Sequence, residues 1–273
     1  MTKEFTRDGR RLSYRDAGTG VPVVLLHAFP LSNHLFHAQF EALPRGVRLI
    51  APDLRGFGLS DRVPADAPHG PGAQSMDEHA DDVVALLDEL GLDSAVVGGV
   101  SMGGYVTFAV LRRAASRVRG LILCDTRAEA DTDDARANRR AMKARLADAG
   151  PRAIADDMVP KLIGATTLAE RPSLADDLHA LIEGTAAMAI HDAIECLMWR
   201  ADATPLLREI AVPTLIVVGR EDVLTPVALH EKMHAAIPQS TLEIVEGAGH
   251  LANLERPDVV TPLIERFVAS LSA

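Results

Sequence analysis

At 273 residues the chain suits one α/β domain carrying an insertion better than two independent domains. With 48% hydrophobic and 24% charged residues it reads as globular, which excludes a disordered or fibrous chain. Its formal net charge of −10 excludes a basic nucleic-acid footprint, and no apolar run approaches the roughly 18 residues that span a membrane.

Met1 to Phe5 carries no apolar h-region, so no signal peptide and a cytoplasmic location are expected. Phe5 to Asp16, with the turn signal Asp8-Gly9, reads as a hairpin. Val23 to Leu26 is a fully apolar strand of the kind buried in a parallel sheet, and it runs into His27-Ala28-Phe29-Pro30. A helix is expected over Asn33 to Leu43, then a strand over Val47 to Ala51. The glycine-rich loop from Asp53 to Asp61 follows, with Asp53, Arg55 and Asp61 expected to tie it down. Ala65 to Gly72 reads as an exposed loop. Ser75-Met76-Asp77-Glu78 is a capping box opening a helix that Gly91 closes.

Ser94 to Val97 is a short buried strand, and Tyr105 to Ala115 has apolar residues at helical spacing. Between them lies Gly98-Gly99-Val100-Ser101-Met102-Gly103-Gly104, a G-x-S-x-G turn in the strand-to-helix context that a nucleophile elbow requires. A serine at such an apex needs a strained backbone, and the small neighbours at 99 and 103 relieve the crowding. Val118 to Cys124 is a further strand, with Cys124 a buried thiol.

From Asp125 to about Val212 no strand is expected. Asp131 to Gly150 (capped by Asp131 or Thr132), Pro151 to Leu162, Leu168 to Ile182 and Thr185 to Arg200 read as helices, the last containing Cys196. The segment is far longer than an ordinary connection and reads as an inserted helical cap over 126–213, on a core formed by 1–125 and 214–273. Thr214 to Val218 resumes the strand pattern. Thr225-Pro226 reads as a helix start, Thr241 to Val245 as the last strand and Pro257 to Leu271 as the last helix. Strands alternating with helices imply a doubly wound, mostly parallel eight-stranded sheet, whose ligands bind beyond the carboxyl ends of the strands.

Two loops at those ends complete a constellation. Gly219-Arg220-Glu221-Asp222 and Gly247-Ala248-Gly249-His250 place an acid and then a histidine after the serine. Serine at its ordinary pKa needs a base to take its proton, and the histidine needs a carboxylate to fix its tautomer. Ser101, His250 and Asp222 fill these catalytic roles, with Glu221 and Asp125 as competing acids. The backbone N–H groups of Phe29 and Met102 are the candidate oxyanion hole. His27 reads as structural. Trp199, Leu224 and Leu251 are candidates for lining an apolar pocket of modest size. No metal and no cofactor are expected, since the remaining histidines and the two cysteines lack ligand spacing.

Carried on His27-Ala28-Phe29-Pro30, the loop from Asp53 to Asp61, Gly99-Val100-Ser101-Met102-Gly103-Gly104, Gly219-Arg220-Glu221-Asp222 and Gly247-Ala248-Gly249-His250, the chain resembles the α/β-hydrolase superfamily over nearly its whole length. Ala28 departs from the family, which has glycine after the histidine, and its methyl bears on the turn that presents Phe29. Within the superfamily the chain is similar to capped carboxylesterases, 3-oxoadipate enol-lactone hydrolases and carbon–carbon bond hydrolases of aromatic degradation. The resemblance implies a cofactor-independent serine hydrolase of small-molecule esters or lactones. Its alternatives are cleavage of a vinylogous diketone by the same triad, or a non-catalytic pocket that binds a small ligand. The serine departs from haloalkane dehalogenase and epoxide hydrolase branches, which use an aspartate there. Neither nucleic acid nor a membrane is an expected partner.

Overall fold

The computed structural model describes residues 2–62 and 75–271; the loop expected over 65–72 lies outside them. The described residues form an eight-stranded sheet: β1 (Thr2–Arg7), β2 (Arg10–Gly18), β3 (Val21–Leu26), β4 (Val47–Pro52), β5 (Ala95–Val100), β6 (Val118–Cys124), β7 (Thr214–Gly219) and β8 (Ser240–Val245). Their order is β1-β2-β4-β3-β5-β6-β7-β8. β2 pairs antiparallel with β1 and β4, and all other pairs are parallel. The β1–β2 turn places Asp8 and Gly9 at φ 50° and 74°, the doubly positive φ that a tight hairpin needs. The central strands β5 and β7 are buried throughout, which is why they read as unbroken apolar runs. Edge strand β8 instead alternates half-buried with exposed positions.

Helices α1 (His37–Glu41), α2 (Met76–Glu89) and α3 (Met102–Ala114) flank the first half of the sheet. The single helix expected over 33–43 is a 3-10 turn (Asn33–Phe36) followed by α1. Ser75 caps α2 as expected, its Oγ accepting the Glu78 N–H at 3.2 Å. Between β6 and β7 the described residues contain no strand. They form α4 (Asp133–Leu162), α5 (Ala165–Glu170), α6 (Ser173–Glu183) and α7 (Ala187–Met198), the helical cap. Thr132 caps α4, and a break at Gly150 (φ 73°) turns its second half back. The single helix expected over 168–182 is two helices, because Pro172 drives Arg171 out of helical backbone (φ −137°, ψ 64°). The core closes with α8 (Val227–Ala236), α9 (Ala252–Glu255) and α10 (Pro257–Ser270). Thr225 is not the cap of α8; the helix begins after Pro226, which is extended (ψ 155°). None of the described helices is long and apolar enough to cross a membrane.

The strand registers Leu26↔Gly99, Val100↔Cys124, Cys124↔Val217 and Gly219↔Val245 bring the carboxyl ends of five parallel strands to one edge. His27, Ser101, Asp125 and the loops after Gly219 and Val245 therefore share that edge. Helix α3 meets it at backbone contact: a Cβ on Gly103 would stand 2.0 Å from the Leu26 carbonyl oxygen, and one on Gly99 would stand 2.1 Å from the Gly103 carbonyl carbon. Gly103→Ala is expected to cost about 3 kcal/mol or more of stability through overpacking. A thermal melt followed by circular dichroism should show Tm lowered by about 6–12 °C.

Candidate active site

Ser101 stands between β5 and α3 at φ 53°, ψ −111°, a strained position for a residue with a side chain. Its N–H donates to the Cys124 carbonyl (3.0 Å), and its own carbonyl accepts the Gly104 N–H (2.9 Å) and the Thr126 hydroxyl (2.8 Å). The Thr126 hydroxyl reaches it because residue 104 is glycine; a Cβ there would lie 2.3 Å from Thr126 Oγ1. Met102 opens α3, so its backbone N–H has no intrahelical partner and points out of the positive end of the helix dipole.

His250 and Asp222 meet through two glycines. A Cβ on Gly219 would lie 2.0 Å from the Gly249 carbonyl oxygen, so the loops that carry acid and histidine touch backbone to backbone. The Glu221 N–H donates across this contact to the Ala248 carbonyl at 2.8 Å. His250 Nδ1 donates to Asp222 Oδ2 at 2.8 Å, and both side chains are buried. Asp222 Oδ1 accepts the N–H groups of Leu224 and Thr225, each at 2.8 Å, and Oδ2 accepts the Thr225 hydroxyl at 2.5 Å. Burial opposes charge on both partners. It is outweighed by their mutual attraction and by Thr225, so the Asp222 carboxyl falls well below the usual range. The His250 imidazole likewise rises above 6.5, helped by Asp222, Asp125 and Glu255. Thr225 was missed in the sequence, where the Thr-Pro pair reads as a helix start.

The competing acids serve elsewhere. Glu221 accepts the N–H (2.9 Å) and hydroxyl (2.5 Å) of Thr166 in the cap. Asp125 spans two elements, accepting the N–H of Gly219 (2.8 Å) and of Ala252 (2.9 Å). Burial and the neighbouring Asp222 push its carboxyl up to about 7.

Phe29 follows β3 and lines the same cavity as Ser101 and His250. The loop before it is fixed by His27, which is fully buried. Leu54 N–H donates to its Nε2 (3.0 Å), which leaves Nδ1–H to donate to the Ala28 carbonyl (3.0 Å). Burial holds this imidazole neutral, as a structural tie between the oxyanion loop and the glycine-rich loop. The latter is pinned by Asp53, which accepts from Asn33 and Leu59, by Asp61, which accepts from Arg11, and by Arg55, which donates to Asp82 and Glu78.

The cavity measures about 300 Å³. Leu224 lines it as expected, whereas Leu251 and Trp199 do not. Leu251 is wholly buried in the core behind His250. Trp199 is 62% exposed on the cap surface, where its Nε1 donates to Glu195 and Arg136 stands over its ring. The lining is apolar in part, with Phe29, Met142, Met158 and Leu197, but it also carries Arg127, Asp131, Arg139, Lys161 and Arg200. These charged side chains come from the cap and its entry strand-end, and no local pattern marks them.

The cap is fastened to the core at its entry and at its middle. At its entry, Thr126 N–H donates to Nε2 of buried His230 in α8 (3.0 Å). At its middle, the buried Glu255 carboxylate accepts the N–H of cap residue Gly164 (2.8 Å) and those of Gly249 (2.9 Å) and Leu251 (3.1 Å), the two neighbours of His250.

A family model described as alpha/beta hydrolase fold matches residues 21–189, and one described as TAP-like protein matches residues 184–272. Haloalkane dehalogenase 2 of Mycobacterium tuberculosis (strain ATCC 25618 / H37Rv) is 34% identical, over 96% of this chain and 93% of that protein. The AB hydrolase superfamily protein YisY of Bacillus subtilis (strain 168) is 31% identical, over 96% and 97%. Among solved structures, a thermophilic esterase from Thermogutta terrifontis with malate bound superposes with a TM-score of 0.92 at 37% identity, over all of both chains. The enol-lactonase from Burkholderia xenovorans LB400 superposes with a TM-score of 0.85 at 26% identity, over 98% of this chain and all of that one.

Glu255→Ala would leave three buried N–H groups without an acceptor. It is expected to cost about 3 kcal/mol or more, read as a lower midpoint in urea denaturation, with Glu255→Gln, which keeps one acceptor oxygen, in between.

Proposed function

The chain belongs to the alpha/beta hydrolase fold family, and from that premise we propose that it is a serine hydrolase of carboxylic esters or lactones. The observation that carries this reading is the buried Asp222–His250 pair opening onto the same cavity as the strained Ser101. Asp222 occupies Nδ1 of the imidazole, which leaves Nε2 to act as base toward Ser101.

In this mechanism Ser101 Oγ attacks the substrate carbonyl carbon while His250 Nε2 takes its proton. The carbonyl oxygen gains the electron pair and is held by the N–H groups of Phe29 and Met102. Collapse expels the alkoxide, which leaves as the alcohol with the proton from His250. Water then attacks the acyl-enzyme, giving its proton to His250, and the carboxylic acid departs as Ser101 regains its hydrogen. In a lactone both products remain one molecule, a hydroxy acid. The imidazolium formed at each step is stabilised by the Asp222 carboxylate, which its four donors keep ionised.

Resemblance to a haloalkane dehalogenase does not carry over to the reaction. A serine displacing halide would form an ether, which has no carbonyl for water to attack, so the enzyme would stop after one turnover. The esterase and enol-lactonase neighbours are the better guide, because a serine acyl ester can be hydrolysed.

Ser101→Ala is expected to lower kcat/KM for p-nitrophenyl butyrate by about 1,000-fold or more and to abolish labelling by a fluorophosphonate. A wild-type protein that neither labels nor turns over esters or lactones would overturn the proposal in favour of a binding protein. Because His250 must be neutral to act as base and its pKa is raised, kcat/KM should rise with pH through a midpoint above 6.5. That midpoint should fall in Asp222→Asn, which removes the charge that raises it.

A further inference from the structure

The chain as a whole is strongly acidic, with a net charge of −10, yet its cavity is not. Four cations, Arg127, Arg139, Lys161 and Arg200, line it against one carboxylate, Asp131. Asp131 takes two of them: it accepts from Arg200 Nη1 at 2.5 Å and from Arg139 Nε at 3.2 Å. Arg200 is further committed to the carbonyls of Leu197 and Glu129 and lies 4.3 Å over the Tyr105 ring, one turn along α3 from Ser101. Arg127 donates to the Leu224 carbonyl, which satisfies a hydrogen but leaves its charge in place. Lys161, in the last turn of α4, has no ion-pair or hydrogen-bond partner among the described residues. It stands three residues before Gly164, whose backbone packs against Gly249 beside His250.

Lys161 is exposed at this mouth and Arg127 is half-buried, so a purely apolar substrate seated against them would strip water from both charges and supply nothing in return, which is costly. A carboxylate brings the missing charge. The excess of cations at this mouth, in a chain of net charge −10, also draws anions toward it. We propose that the cavity selects small esters or lactones that carry a free carboxylate away from the scissile bond, with Lys161 as the residue that reads it. This rests on the ester-hydrolase reading above and adds the substrate class.

The test compares monomethyl succinate with methyl 4-methylpentanoate, in which an isopropyl group of similar shape replaces the carboxylate. Ester cleavage is followed by acid release at constant pH. Wild-type kcat/KM should favour the succinate ester by about ten-fold, and Lys161→Met should reduce that ratio by about ten-fold, mainly through KM. Lys161→Glu should reduce it further, and added salt should narrow it in the wild type. Succinate binding to Ser101→Ala, measured by calorimetry with and without Lys161→Met, reads the same site without turnover. Hydrolysis of both esters at equal rates, or a ratio indifferent to residue 161, overturns the anion selection and leaves the hydrolase standing. Lys161-dependent succinate binding in a protein that hydrolyses neither ester does the reverse.

Discussion

Everything at the working edge of this molecule depends on α3 lying in backbone contact with β3 and β5. A Cβ at 99 or 103 would stand only 2.1 Å or 2.0 Å from backbone atoms, so the helix could not keep this approach. With glycine at both, the chain reverses direction in one residue, and that residue, Ser101, is forced to positive φ. The strain is offset locally. Cys124 and Thr126 hold the peptide groups on either side of Ser101, and Thr126 is in turn held by His230 of α8. The serine turn, the entry to the cap and a helix of the C-terminal half are thus one connected piece.

A second backbone contact does the same for the other half of the site. Gly164, Gly219 and Gly249 come from the cap, the acid loop and the histidine loop, and each lies within contact distance of another's main chain. Glu255 and Glu221 staple this junction with buried or half-buried acceptors. Cap position and imidazole position are therefore set by the same few atoms. This explains why the cap, for all its helical irregularity, presents Lys161 and Arg139 to the cavity that holds Ser101. A cavity walled by cap and core together can differ in charge from the outer surface, since its lining is chosen by packing and not by solubility.

What the sequence revealed and what it hid follow from the same physics. The serine turn, the two strand-end loops and the eight strands were legible because their requirements are local. Glycines mark the close approaches, and unbroken Val, Ile and Leu runs mark strands covered on both faces. Within the cap, the break at Gly150 falls between the two helices read there, whereas Pro172 divides a helix that periodicity reads as one. The cavity wall was least legible. Leu251 and Trp199 were chosen for their neighbourhood and their type, but a residue adjacent to His250 points the opposite way, and the tryptophan lies on the outer face of α7's end. The cations that do line the wall stand at 127, 139, 161 and 200, gathered only by tertiary packing.

Three carboxylates compete for the role of the histidine's acid, and their surroundings sort them. Glu221 spends both oxygens on Thr166, so its place is at the cap. Asp125 and Asp222 are both buried and within influence of each other, and two adjacent buried negative charges are unfavourable. The donors decide which one stays charged. Asp222 receives two N–H groups, a hydroxyl and the imidazole, whereas Asp125 receives two N–H groups and a weak thiol donor from Cys124. Their pKa values are driven apart in consequence, Asp222 downward and Asp125 up to about 7. Such a separation assigns roles without reference to sequence position. The ionised carboxylate faces the imidazole it must stabilise, and the other holds the end of β7 to the start of α9, keeping the loops that carry Asp222 and His250 in register.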